Sequence, residues 1–432
     1  MRIAVVGSGI SGLASAWLLS REHEVTLFES NNYLGGHTHT HQVAQRDVSY
    51  RIDTGFIVHN PRHYPLFTRF LSQLGVQSQP TTMSFSVHNE ATGLEYNAAT
   101  LDTLFCQRLN LLSPRFLGMV RDLMRFYREA PELLGHQDTS ASLGEYLLQH
   151  QYGAAFRDEH LLPMASALWS SPPAQILNFP VRYLVQFMAN HQMLQVNDRP
   201  QWRVVKGGSS AYVQALRARW PVRERLNCPV HSIRRLGDGA ELQSAAGTER
   251  FDQLVLACHS DQALAMLADA DHREHSILGA MNYQANDTVL HTDSRLLPVR
   301  RKAWAAWNAW LPRDPNENCT VSYCMNLLQG VQSPDPFVVT LNRTAAIDPV
   351  KILKRMTYRH PVYTRDSVAA QARQAEIQGR RRTWFAGAYW GWGFHEDGLR
   401  SAVAVAVGLG VRWPAESAPM LEVETQRQEI AA

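Results

Sequence analysis

Two kinds of apolar pattern follow each other in the first thirty residues. Ile3 to Val6 is an unbroken apolar run of strand length, Leu13, Ala14, Ala16, Trp17 and Leu18 then recur at helical spacing, and Glu24 to Phe28 returns to a strand. Gly7-Ser8-Gly9-Ile10-Ser11-Gly12 joins the first strand to the helix, so the pattern predicts a β-turn-α-β unit. In such a unit Gly7 permits a tight turn, Gly9 lets backbone N–H groups approach a pyrophosphate, and Gly12 lets the helix pack closely on the strand. The positive end of the helix faces the phosphates, with Ser8 and Ser11 among the expected contacts. Glu29, followed by Ser30, ends the second strand twenty-two residues after Gly7. A carboxylate there accepts hydrogen bonds from a ribose diol and repels a 2′-phosphate.

Further along, Tyr50 to Val58 reads as a strand around an Asp-Thr-Gly turn, and Pro61 to Asn190 reads as mostly helical, with Phe116, Leu117, Val120, Leu123, Met124 and Tyr127 at helical spacing. Trp202 to Ser210 reads as a strand and turn opening a helix through Tyr212, Val213 and Leu216. Short strands are expected at Cys228–Ile233, Ala240–Ser244, Gln253–Cys258, Thr320–Met325 and Phe337–Leu341. Thr383 to Gly387 reads as a strand, and Glu396 to Gly408 as a helix of small residues. This alternation predicts a nucleotide-binding sheet assembled from distant segments, with two insertions making a second domain.

The chain has 432 residues, 45% hydrophobic and 19% charged, which suits a globular protein with a large core. A formal charge of +3 excludes the strongly basic profile of a nucleic-acid binder. No stretch of eighteen apolar residues marks a membrane span, and strand character begins right after Arg2, so a cytoplasmic protein is expected. Cys106, Cys228, Cys258, Cys319 and Cys324 form no paired motif and read as buried thiols. His37, His39 and His41 alternate at strand spacing, but no neighbouring acid or cysteine completes a ligand set, so no metal site is expected.

With these motifs in place the chain resembles the flavin-containing amine oxidase superfamily, which includes phytoene desaturases and protoporphyrinogen oxidases. The resemblance rests on Gly35-Gly36 after Glu29, Asp53-Thr54-Gly55-Phe56, Lys206-Gly207-Gly208, Pro229 to Ile233 with Val230, Phe251 to Ala257, and Phe385-Ala386-Gly387 followed by Gly393 to Gly398. It implies an α/β fold: a Rossmann-like FAD-binding domain assembled from three discontinuous segments, 1–75, 201–285 and 376–432 with its C-terminal tail. The inserted α+β substrate domain would comprise 76–200, mostly helical, and 286–375, strand-rich. It implies FAD held non-covalently, since no attachment cysteine lies near Tyr389. The contacts implied are Gly7, Ser8, Gly9, Ser11, Gly12, Glu29 and Ser30 from the first unit, then Gly35, Gly36, His37, Thr54, Gly55 and Phe56. Val230, Gly387, His395, Glu396 and Leu399 complete them. The backbone from His395 onward would face the flavin's electron-rich edge, while the Glu396 side chain is read equally as a flavin contact or a helix-start acid.

Two departures stand out. Tyr33 and His37 occupy positions where the amine oxidases usually carry arginine, so His37 and the helix N–H groups must do more for the pyrophosphate. No lysine matches the water-holding lysine of amine oxidases, and Lys302 sits beside Arg300 and Arg301 in what reads as a solvated turn. The chain is more similar still to a bacterial branch of FAD-dependent oxidoreductases, through Gly35 to Thr40, Asp53 to Asn60, His291 to Asp293, Ala303 to Asn308 and Gly387 to Ala402. Members of that branch are often encoded beside methyltransferases resembling cyclopropane-fatty-acid synthases, which implies such a methyltransferase as functional partner and lipid acyl chains as substrate.

Tyr389, Trp392 and Phe394 are the expected substrate contacts, Phe394 matching the aromatic-cage position. His59 and His291 are candidate catalytic bases. On the helical stretch from Pro114, Arg121, Arg125 and Arg128 share a face opposite Phe116, Val120, Leu123 and Tyr127, a pattern compatible with peripheral contact to an anionic membrane. The leading reading is an FAD-dependent dehydrogenase or desaturase of a fatty acyl or other lipid substrate. A flavin amine oxidase and a non-catalytic flavin-binding partner subunit are the alternatives.

Overall fold

The computed structural model describes residues 1–135, 141–169, 173–197, 199–314, 317 and 319–414. The last part of the expected C-terminal tail therefore lies outside the described residues. Five parallel strands form the nucleotide-binding sheet in the order Arg223–Arg225, Glu24–Phe28, Arg2–Val6, Gln253–Leu256 and Thr383–Phe385. These strands come from the three regions assigned to the cofactor domain. Ile3, Ala4, Val5, Leu254, Val255 and Leu256 have no exposed surface, as continuous apolar runs covered on both faces should.

The helix Ile10–Leu19 packs on the first strand and against the helix His395–Gly408. Gly12 is what allows this: a Cβ there would stand 1.9 Å from the Gly7 carbonyl oxygen. Gly7 itself has φ +99°, the left-handed region that favours glycine in a tight turn.

A second sheet of seven strands draws on Phe85–Asn89, Leu94–Asn97, Asn282–His291, Trp307–Leu311, Thr320–Cys324, Val338–Leu341 and Ile352–Val362. The expectation of a mostly helical 76–200 is thus corrected at its start, where Ser78–Pro80, Phe85–Asn89 and Leu94–Asn97 are strands. Helices follow from Leu101 through Asn190. The strand Tyr50 to Val58 is split: Val48–Asp53 pairs with Thr40–Gln45, and Val58–His59 pairs with Arg203–Val205. Asp53 ties these pieces together, accepting from Thr40 Oγ1 at 2.5 Å, Ser209 N at 2.9 Å and Gln329 Nε2 at 3.1 Å.

Candidate functional site

The first, second, fourth and fifth strands of the chain's nucleotide-binding sheet point their carboxyl ends at one crevice, where Gly7, Glu29, Cys258 and Gly387 meet. That is where ligands bind in open parallel α/β sheets. The crevice continues into the second sheet as one cavity of about 1360 Å³, above the roughly 300–1,000 Å³ of a single-ligand pocket. It has room for a cofactor and a substrate.

At the cofactor end the helix Ile10–Leu19 begins without a side-chain cap and without an acid in its first turn, so its leading N–H groups are open to an anion. A Cβ at Gly9 would meet nothing within 4 Å, leaving a free cradle over those groups. Glu29 is buried and staples the loop: Oε2 accepts from Ser8 N at 3.0 Å and Ser8 Oγ at 2.6 Å, and Oε1 from Asn31 N and Nδ2 at 2.8 Å. Buried polar atoms without a protein partner, His37 Nε2, His259 Nδ1 and Tyr389 Oη, belong to residues lining the same cavity. An uncapped helix, a glycine cradle that a Cβ would fill and orphaned polar atoms fit a dinucleotide.

The wall facing this loop comes from the strand Ile352–Val362, which the sequence pattern missed. Tyr358 Oη lies 2.7 Å from Thr54 Oγ1 and 3.0 Å from His39 Nδ1. His37, His259 and His360 cluster with ring centroids 5.2–6.1 Å apart, and burial pushes them down to about 4, about 3 and about 3. His37 lines the cavity as expected, and burial holds its ring neutral, so what it offers a pyrophosphate in place of the missing arginine is a hydrogen bond rather than a charge. The cation on this wall is Arg359, which lines the cavity and pairs with Asp261 at 2.8 Å. Cys258 also lines it, and burial pushes its thiol up to about 12, so it stays protonated and a poor nucleophile.

Most of the expected cofactor contacts line the cavity: Gly7, Ser8, Gly9, Ser11, Glu29 and Ser30, Gly35, Gly36 and His37, Thr54, Gly55 and Phe56, and Val230, Gly387 and His395. His395 stacks on Phe56 with centroids 3.5 Å apart, and its Nε2 lies 2.9 Å from Thr38 Oγ1. Three do not line it. Gly12 serves helix packing, Leu399 is a core residue with no exposed surface, and Glu396 caps another helix. Glu396 Oε1 and Oε2 accept from Leu66 N and Phe67 N, each at 3.0 Å, at the start of the helix Pro65–Leu74. Glu396 does stand as an acid in the first turn of its own helix, while its side chain does not line the cavity and its carboxylate also closes the orphan N–H groups of a helix far away in sequence.

At the other end Phe394 lines the cavity as expected, stacked on Phe187 with centroids 5.3 Å apart and planes 12° from parallel. Trp392 does not line it. It stands behind, packed on Tyr183, Phe187 and His191. Tyr389 lines the cavity from the cofactor side, in the core cluster that holds Cys258 and Tyr283. The candidate bases His59 and His291 are corrected, because neither faces the cavity. His291 is fully buried, with Nε2 2.8 Å from Thr340 Oγ1 and Nδ1 accepting from Asp293 N. His59 packs edge-on against Phe67 in the core. Lys302 is on the surface, paired with Asp102 at 2.9 Å.

The histidine at this end is His191, which the sequence did not single out. It follows the helix Val181–Asn190, and its Nδ1 lies 3.0 Å from the Phe187 carbonyl oxygen. A carbonyl only accepts, so Nδ1 carries the hydrogen and Nε2 is left as an acceptor. Burial pushes the ring down to about 4, with the neighbouring His63 adding to the effect.

Fold and site together define a dinucleotide-binding α/β protein whose crevice continues into a cavity against a second, seven-stranded sheet. Residues 10–291 match the flavin containing amine oxidoreductase model, and the chain belongs to that family, whose cofactor is FAD. It is 24% identical over 317 residues to an L-amino-acid oxidase of Siganus canaliculatus, covering 68% of this chain and 56% of that one. The chain thus spans about half the length of the curated relatives it matches. Among solved structures it is similar to a CLA-producing fatty acid isomerase from P. acnes, with TM-score 0.66 and 17% identity over 95% of this chain and 99% of that one. A cyclohexylamine oxidase from Brevibacterium oxydans matches with TM-score 0.64 and 16% identity over the same shares.

Proposed function

We propose that the protein is an FAD-dependent oxidoreductase that dehydrogenates the acyl chain of a fatty acid or other lipid. The observation that carries this reading is the chemistry of the substrate chamber. Phe85, Met164, Leu168, Phe187, Met193 and Phe394 line it, and Glu29, at the opposite end, is the one carboxylate among the described lining residues. An ammonium group would find no counter-charge there, whereas a hydrocarbon chain finds apolar walls. Phe187 and Phe394 pack on each other, which makes them one wall rather than an open slot for an amine.

FAD bound along the glycine loop supplies the acceptor for a substrate hydride. The chain's own residues do the rest: Phe394 and Phe187 position the acyl carbon, and the apolar lining excludes water. His191 Nε2, neutral at physiological pH, takes the proton that leaves with the second C–H bond. A methyltransferase resembling cyclopropane-fatty-acid synthases, acting on the same acyl chains, is the partner this reading implies.

Amine oxidation is the second reading, favoured by the L-amino-acid oxidase relative and by the family's own description. Anaerobic mixing with two panels, free or phospholipid-linked acyl chains and primary or polyamines, separates them through loss of the flavin's visible absorbance. Bleaching by an acyl substrate supports the proposal. Bleaching by amines alone overturns it in favour of an amine oxidase, and a flavin that neither panel bleaches favours a non-catalytic subunit.

A further inference from the structure

We propose that the face built by residues 101–128 docks on an anionic phospholipid bilayer and presents the mouth of the substrate chamber to it. The segment starts with the short helix Leu101–Leu104, passes through a 3₁₀ turn at Arg108–Leu112 and continues as the helix Pro114–Glu129, capped by the Ser113 hydroxyl. Phe105 and Phe116, with centroids 5.6 Å apart, anchor it to the core from below. Large apolar side chains remain on the outside: Leu109 is 82% exposed, Leu112 81% and Leu101 77%, with Leu111, Leu117 and Met124 also exposed. So dense a set of exposed leucines marks an interaction surface rather than ordinary scatter.

On the long helix the outward stripe is Leu117, Arg121, Met124 and Arg128, spaced four, three and four residues apart. This differs from the face read in the sequence, because Arg125 turns back to lie over the Tyr152 ring and donates to the His150 carbonyl. Arg108 and Arg115 continue the basic character along the segment, and Arg300 and Lys302 join it through the contact of their turn with the helix Leu101–Leu104. Val299, 80% exposed, adds another apolar side chain there. The acids that pair with these cations are mostly beneath the surface: Glu95, Asp122 and Glu159 are buried. Asp102 is exposed and Glu129 partly so, and the cations outnumber the acids. Alternating leucine and arginine on one solvent face is the chemistry of a bilayer interface, apolar groups entering the acyl boundary and guanidinium groups meeting phosphate.

The chamber fixes the orientation. Its lining reaches Ala98 and the exposed Ala99, two residues before Leu101, and it includes Tyr127 of the long helix and the exposed Arg199. A bilayer against this face would lie at the chamber's opening. The proposal extends the lipid reading of the site, but its test does not depend on what is oxidised.

The FAD-loaded protein is sedimented with vesicles of phosphatidylcholine alone and with equimolar phosphatidylglycerol and phosphatidylcholine, without substrate. Binding to the anionic vesicles that weakens with added salt is expected. Arg121→Gln with Arg128→Gln lowers the partition coefficient about fivefold per arginine, and Leu109→Ser with Leu112→Ser lowers it at least about tenfold. Val407→Ser, an exposed apolar position on the cofactor-domain helix, leaves it unchanged. Unchanged flavin content in each variant shows that folding is intact. Absence of anionic-vesicle binding, or binding indifferent to both double variants, overturns the proposal. So does a lipid-free dimer that the leucine variants dissolve, which assigns the face to a second copy of the chain.

Discussion

Replacing Gly9 by alanine tests the cofactor end of the site with little effect on the fold. Gly9 has φ −62° and ψ 179°, extended backbone that alanine adopts without strain, and a Cβ there meets no protein atom within 4 Å. The flavin-free protein should therefore keep its stability, or gain up to about 0.4–1 kcal/mol through a less flexible unfolded chain. Bound FAD would place its pyrophosphate in that cradle. A methyl group inserted there costs about 1–3 kcal/mol in overpacking and displaces a charge-assisted hydrogen bond worth a further ~1.5–3 kcal/mol. A net loss of about 3–4 kcal/mol weakens FAD roughly 10²–10³-fold. Gly12→Ala is the contrasting control, since its Cβ would lie 1.9 Å from the Gly7 carbonyl oxygen and disrupt the strand-to-helix turn itself. The assay titrates flavin-stripped protein with FAD by fluorescence quenching and measures the thermal midpoint of the stripped protein in parallel. Unaltered FAD affinity in Gly9→Ala, or a stripped-protein midpoint as low as that of Gly12→Ala, refutes the reasoning.

Glu29→Ala removes the acceptor of Ser8 and Asn31, and FAD should bind roughly 1.5–3 kcal/mol more weakly; unchanged affinity on titration would show that the loop holds its shape without the staple. His191→Asn preserves a donor toward the Phe187 carbonyl but lacks the basic Nε2, so substrate reduction of the flavin should slow about 10²–10⁴-fold at unchanged FAD content. In the native protein that rate should fall as pH drops through about 4 and be flat above, and a residual rate in the variant equal to the native one would dismiss His191 as base. Phe394→Ala should slow flavin reduction while leaving FAD content intact; loss of FAD with normal turnover per remaining flavin would make it a packing residue. Acid should destabilise the fold: burial pushes His59 and His160 down to about 4, so below pH 6.5 the unfolded chain binds protons that the folded one refuses. Each such histidine lowers stability by about 1.4 kcal/mol per pH unit down to its folded value. Asp53, pushed up to about 6 by desolvation, works the other way below pH 6, but the buried histidines outnumber it. A urea midpoint that holds or rises between about pH 7 and about pH 5 would contradict this.

The sequence reveals the cofactor half of the molecule because its determinants are local. Buried parallel strands read as unbroken apolar runs, and a pyrophosphate demands glycines at fixed spacing within one turn. The second sheet is harder to see, since its strands bury polar side chains whose partners are remote in sequence. Ser86 is fully buried against Asn308, Asn89 donates to Glu159, and Glu95 accepts from Val299 N and Arg300 N. These polar residues break the period-two alternation that marks a half-buried strand, so Phe85–Asn89 and Leu94–Asn97 pass for helix or loop. Ile352–Val362 escapes for a related reason: Tyr358, Arg359 and His360 serve the cavity rather than a core, and Pro361 ends the apolar pattern.

The same contrast separates the two ends of the site. A cofactor of fixed shape imposes the same backbone geometry wherever it binds, and that geometry is written in glycine positions. The proposed substrate chamber instead depends on Phe187, His191 and Phe394, which become neighbours only when the helix Val181–Asn190 packs against the loop before His395. His191 is a helix-terminal histidine like many others until its Nδ1 is committed to the Phe187 carbonyl one turn back. That hydrogen bond sets the tautomer, and the tautomer turns Nε2 into an acceptor. His59 and His291 show the reverse: both carry the right side chain in a promising motif, and packing against Phe67 and bonding to Thr340 and Asp293 N hold them in the core. Residue type fixes what a histidine is able to do, and its partners across the fold decide whether it faces a substrate.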